Sequence, residues 1–171
     1  METREARRFD HGVWWGAAAA VLSGLVVLAA MALGAWPAGK PLSVLAVEMV
    51  GRDYLGREGA VAATWLLAGV IQVAWGAACG ALLAVLTERV TLADALGLGA
   101  LRWLFTQVVV LPALGLGDFG LLRTPTLALA IATALPHVTY ALFLGWLMHQ
   151  EDEGHALLPL HLRRWAHARR G

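Results

Sequence analysis

Long stretches of this chain carry no formal charge, and the polar residues collect between them. Val13 to Ala35 is uncharged over 23 residues, and about 18 or more such residues read as a transmembrane helix. A second uncharged stretch covers residues 60–86, and the last covers residues 126–148. The third, residues 92–114, contains Asp94 and Arg102. It nevertheless has a start signal. Thr91-Leu-Ala-Asp94 has the spacing of a capping box, in which Thr91 and Asp94 each satisfy a backbone donor of the other. Pro112 stands near the far end, where one lost helix bond costs least. Residues 115–123 predict a tight turn, and Thr124-Pro125 predicts the cap and first position of the last helix. The pattern predicts an all-α membrane protein with four transmembrane helices in residues 13–148. Residues 1–12 form an amino-terminal arm and residues 149–171 a basic tail. Arg4, Arg7 and Arg8 before the first span resemble a signal peptide, but 23 apolar residues exceed a signal core of about 7–15.

An insertion, residues 37–59, separates the first two spans. Within it, Pro41 to Val50 is helical in pattern but too short to cross. A short amphipathic helix on the outer surface fits; a re-entrant segment with Glu48 pointing inward is the alternative.

Composition agrees with a bilayer protein. Hydrophobic residues make up 59% and charged residues 15%, against about 45–50% and about 25% in soluble domains. The 13 Lys and Arg nearly balance 12 Asp and Glu, which argues against nucleic acid as a partner. Cys79 is the only cysteine, so neither a disulfide scaffold nor a Cys-ligated metal domain is expected. Eight arginines (Arg4, Arg7, Arg8, Arg89, Arg163, Arg164, Arg169 and Arg170) fall on one side of the four spans. Lys40, Arg52, Arg57 and Arg123 fall on the other. The positive-inside rule then places both termini in the cytoplasm. Trp14, Trp15 and Trp36 flank the first span, where the headgroup level suits indole rings.

The spans pair internally. Offset by 83, the third matches the first at eight of nineteen positions from Gly16 to Gly34, Gly16/Gly99 and Gly34/Gly117 included. Offset by 65, Gln72-Val-Ala-Trp75 falls on His137-Val-Thr-Tyr140, and Gly80 on Gly145. Two hairpins related as a parallel repeat are expected; helices rich in Ala, Leu, Val and Gly also align by chance when the offset is free. Small residues at Gly12, Gly16, Ala20 and Gly24, at Gly76 and Gly80, and at Gly145 predict close helix packing, because helices in lipid associate through near backbone approach.

The amide and ionisable side chains Gln72, Arg102, Gln107 and His137 stand out deep inside the spans. Such residues are expensive in lipid and mark function or interhelical pairing. Gln72 and His137 are expected at one depth, with neutral His137 bonded to Gln72, Thr133 or Thr139. Arg102 is expected to snorkel toward the cytoplasmic face, where Glu88 or Glu153 would receive it, with Gln107 sharing its cavity. Bis-histidine haem needs two facing histidines, and His137 has only Gln72 opposite. His11 and His149, at one boundary, more often stay solvated than bind metal. The tail histidines His149, His155, His161 and His167 recur every sixth residue and point three ways on a helix; this segment, with Trp165, reads as lying on anionic lipid. No catalytic motif occurs. No catalytic residues, metal or cofactor are therefore expected, and an enzyme is not.

Pro136-His137-Val-Thr-Tyr140 with Gly145, four spans and an insertion after the first resemble the YagU-like small inner-membrane proteins. Ala141 replaces the glycine that follows the tyrosine in part of that family. The resemblance implies a bacterial cytoplasmic membrane and no known catalysis, and it supplies no site residues. Two functions fit. One is an accessory or structural component that packs, through lipid-facing helices, beside a protein partner or further copies of itself. The other is a proton or small-solute pathway through an oligomeric bundle, using His137, Gln72 and Arg102.

Overall fold

The computed structural model describes residues 4–36, 40–51, 60–122 and 127–152, and these residues contain helices and no strand. In chain order they are α1 (Arg4–Ala32), α2 (Leu42–Gly51), α3 (Ala60–Leu86), α4 (Leu92–Phe105), a π-helical turn at Thr106–Val110, the short α5 (Leu111–Ala113), a 3-10 turn at Asp118–Gly120, and α6 (Ala128–Asp152). Four helical stretches are long and apolar enough to cross a membrane: Arg8–Ala32, Val61–Leu86, Leu92–Ala113 and Ala128–His149. Large apolar side chains cover their outer surfaces, among them Leu25, Leu66, Val70, Leu101 and Ile131. Water would penalise that surface heavily, and lipid does not. The architecture is that of a multi-pass membrane protein.

Helix ends follow local chemistry. The box at the start of α4 is complete: the Asp94 amide donates to Thr91 Oγ1 at 3.2 Å, and the Thr91 amide to Asp94 Oδ2 at 2.9 Å. At the other end of α1, Gly34 adopts a left-handed φ of 69°. Its amide donates to Met31 O and that of Ala35 to Ala30 O, the two bonds of a Schellman cap. Gly115, with φ of 68°, caps the Leu92–Ala113 stretch in the same way through Pro112 O and Leu111 O. The proposed Thr124-Pro125 cap of α6 lies outside the described residues, as do Glu153 and the tail beyond Asp152.

α1 begins at Arg4, well before the expected start of its span. Glu, Ala and Arg are good helix formers, and the extension is anchored: Arg8 Nη2 donates to Thr87 O at 3.1 Å and also to Glu88 O. An arginine from one helix thus takes up carbonyls freed where α3 ends.

The packing order is α3, α1, α6, α4, with α1 laid along α3 and α6 against both α1 and α4. α3 and α4 touch little. Close approach is greatest near the turn that joins α3 to α4. A Cβ on Gly12 would lie 2.6 Å from Gly80 O, and one on Gly16 would overlap Gly76 O. Ala20 meets Gly76, and Gly145 faces Ala95. Gly24 does not belong to this set: nothing lies within 4 Å of its added Cβ, nor of that on Gly69. α2 packs on α3, with Val44 and Val47 buried against Ala68. Glu48 does not point inward; it pairs with Lys40. Trp36 is also placed differently from expectation. Only 7% exposed, it packs with Val27, Leu111 and Leu129 and donates its indole N–H to Lys40 O, whereas Trp14 is 73% exposed. These contacts remove Trp36 from the lipid surface.

The contacts repeat at the spacing of the sequence match. Gly12 on Gly80 corresponds to Ala95 on Gly145, and Gly16 on Gly76 to Gly99 on Ala141, each pair at offsets of 83 and 65. At the far end this register slips. The capping glycines Gly34 and Gly115 stand 81 apart, and the π-turn lies between the two regimes.

Candidate functional site: a buried polar cluster between α4 and α6

The polar residues of α4 and its π-turn meet those of α6 in one place. The Leu111 amide bonds to Thr106 O, the wide i to i+5 closure of a π-helix. Pro112 explains its position. It cannot donate to Val108, and its ring crowds that carbonyl; the helix widens just before it. Thr106 and Gln107 are both buried there.

His137, the residue after Pro136 in α6, is held at both ring nitrogens. Nδ1 lies 2.6 Å from Thr133 O on its own helix, and Nε2 lies 3.1 Å from Thr106 Oγ1 at the start of the π-turn. A carbonyl only accepts, so Nδ1 carries a proton. In the neutral ring Nε2 then accepts, and the Thr106 hydroxyl must donate to it. That hydroxyl also lies 3.0 Å from Arg102 O. It has one proton and two acceptors, so its rotation follows the protonation of the ring. Gln107 completes the link, donating from Nε2 to Thr133 Oγ1 at 2.9 Å, and Thr133 donates onward to Ala130 O. Gln107 Oε1 is buried without a partner.

Arg102 occupies the next turn of α4. Its guanidinium carbon stands 3.8 Å from the centroid of the Tyr140 ring, a cation–π arrangement that gains strength where water is excluded. The Tyr140 hydroxyl donates to Gly76 O of α3 at 2.7 Å, so this tyrosine ties α6 to α3. Arg102 is 6% exposed, and its Nε and Nη1 have no hydrogen-bond partner. It does not reach Glu88, which is exposed; the arginine is drawn sideways onto Tyr140 rather than along the helix to the surface.

The cluster therefore unites Arg102, Gln107 and His137. Gln72 does not join it. It sits half-buried on α3, whose main neighbours are α1 and α2, whereas His137 faces α4. Thr106 was missing from the sequence reading, although it lies four residues after Arg102 and so on the same helical face. Tyr140 stood in the quoted motif without a role. Along the α4–α6 seam lies an open apolar groove of about 320 Å³, lined by residues including Gly99, Trp103, Ala134 and His137. A recess of about 60 Å³ at the Arg8 end is lined by Arg8, His11, Thr87 and Glu88. Among the described residues, no three of His, Cys, Asp and Glu come together as a metal site would require.

Comparison with models of known protein families, with curated proteins and with solved structures gives no significant match.

Proposed function

We propose that this chain is a non-enzymatic component of a larger assembly in a bacterial cytoplasmic membrane, with both termini inside, where it packs beside other helices. The observation that carries this is the use made of the polar interior. His137 and Gln107 are bonded to Thr133 and Thr106, so these side chains fasten α4 and its π-turn to α6. Interhelical hydrogen bonds of this kind are worth about 0.6 kcal/mol on average, which suits a bundle that also needs neighbours. The Pro136 to Tyr140 likeness to YagU-like proteins supports the same reading, and so does a duplicated hairpin, since a repeat presents similar faces twice.

A proton route through an oligomer is the second reading. It is favoured by one feature: the Thr106 hydroxyl has alternative acceptors in His137 Nε2 and Arg102 O, a rotor that can follow a proton.

Native purification in mild detergent followed by mass spectrometry tests the first reading. A complex with another membrane protein is expected, and recovery solely as a monomer overturns it. Orientation is tested separately in a Cys79→Ala background. An impermeant thiol reagent should label Lys40→Cys from outside intact cells and leave Glu88→Cys untouched.

A further inference from the structure

Among the described side chains, Arg102 is a charge without a counter-charge. An arginine does not give up its proton to escape burial, and an ionic group left unpaired in a low-dielectric interior is costly. Tyr140 covers one face of the guanidinium but supplies no anion. Among the described carboxylate side chains, Asp94 is engaged in its capping box, Glu48 pairs with Lys40, and Asp10, Glu88 and Asp118 are exposed. None is bonded to Arg102, whose Nε and Nη1 stay unpartnered.

The guanidinium also faces the weakest seam of the bundle. Arg102 projects from α4 onto the ring of Tyr140, whose hydroxyl reaches Gly76 O of α3. α3 and α4 otherwise share few contacts. On the outer side Trp75 of α3 stacks on Phe105 of α4 with ring centroids 6.0 Å apart, and both rings are about half exposed. Leu82 and Leu101, also exposed, continue the two apolar stripes at helical spacing.

The geometry points to Arg102 as the docking residue for a carboxylate carried on the transmembrane helix of a partner protein, received at the seam between α3 and α4. This rests on the reading of the chain as a component of a membrane assembly and gives the partner its chemistry. A charge reaching this depth from the side must come through hydrocarbon, so it is delivered by a helix whose other surface is apolar. Asp and Glu within spans are themselves expensive and pair with cations. Each helix thus supplies what the other lacks, and the exposed Trp75–Phe105 stack is what the incoming side chain parts.

The test uses the full chain in phosphatidylcholine vesicles and two leucine–alanine transmembrane peptides, one with a single Glu at the depth of Arg102 and one with Gln there. Association is read by energy transfer. The Glu peptide should bind roughly tenfold more tightly than the Gln peptide, about the difference a charge-assisted hydrogen bond supplies. Arg102→Gln should abolish the preference, with helicity and melting measured alongside. A photoreactive group beside the Glu should crosslink wild-type protein at α3 or α4, a readout that needs no folded variant. Equal binding of both peptides, or crosslinks confined to α1, overturns the proposal. So does Arg102-dependent stabilisation by free acetate or by phosphatidylglycerol vesicles in place of the peptide, which would assign the site to a small anion or a lipid. A natural partner that stays attached in Arg102→Gln overturns the docking role and leaves the assembly reading intact.

Discussion

The two long hairpins are held by different means. α1 and α3 meet through bare backbone, with Gly12 on Gly80 and Gly16 on Gly76. α4 and α6 share the same small-residue contacts, Ala95 on Gly145 and Gly99 on Ala141, but add His137, Thr106, Gln107 and Thr133. Lipid tails are as apolar as Leu, so burial of apolar side chains gives little force between helices, and packing and hydrogen bonds take its place. The first hairpin relies on the first of these. The second distributes its stability over both, and it contains the irregular turn that the polar residues occupy. Small contacts made by backbone atoms cannot be relaxed by a rotamer change. A polar network can re-form around a lost member.

This contrast predicts its largest effect at Gly16. Gly16→Leu must push α1 from α3, since even a Cβ overlaps Gly76 O. Overpacking of this kind costs about 1–3 kcal/mol, and the upper end is expected where the obstacle is main chain. Denaturant unfolding of the purified protein in bicelles measures it. The equivalent Gly99→Leu should cost less, because one of its two nearest obstacles is the Ala141 methyl, 2.8 Å from the added Cβ. Equal losses at the two positions would erase the distinction between the hairpins.

A smaller effect is expected from the polar side. His137→Leu removes the contacts to Thr133 O and to Thr106 and should cost about 1 kcal/mol, within the range of single interhelical bonds. His137→Gln should lose about half as much, because the amide can meet Thr106 but not Thr133 O as well. The same unfolding assay ranks the three. If the Gln variant keeps its stability yet abolishes a proton flux shown by wild type in vesicles, the proton route replaces the packing role. A Leu variant that loses more than Gly16→Leu would reverse the comparison.

Much of the architecture is legible in the sequence, and the reasons differ by element. The spans are legible because membrane thickness sets a length that Val13 to Ala35 and residues 60–86 meet without interruption. The α4 start is legible because Thr91 and Asp94 carry the cap in their own side chains. His137 and Gln107 announce themselves as polar groups in lipid, but their partners do not, since these depend on which faces of α4 and α6 meet. Pro112 marks a disturbance without saying that the helix widens at Thr106. The destination of Arg102 was hidden for a related reason. Snorkelling is the resort of a side chain facing lipid, and Arg102 faces Tyr140 instead.

The smallest predicted effect is the sharpest test of how the first hairpin is built. Gly24 continues the four-residue stripe of Gly12, Gly16 and Ala20, so spacing alone assigns it to the contact. Its added Cβ nevertheless has nothing within 4 Å. If contact is confined to the part near the α3–α4 turn, Gly24→Ala meets no obstacle. It should be neutral or stabilising by up to about 0.5–1 kcal/mol, as expected when Ala replaces Gly inside a helix. Its backbone is ordinary right-handed helix, so no positive φ opposes the change. The measurement is the same unfolding midpoint, compared with Gly12→Ala, whose Cβ would lie 2.6 Å from Gly80 O. A loss at Gly24 as large as that at Gly12 would mean that the close contact of the two helices continues through Gly24.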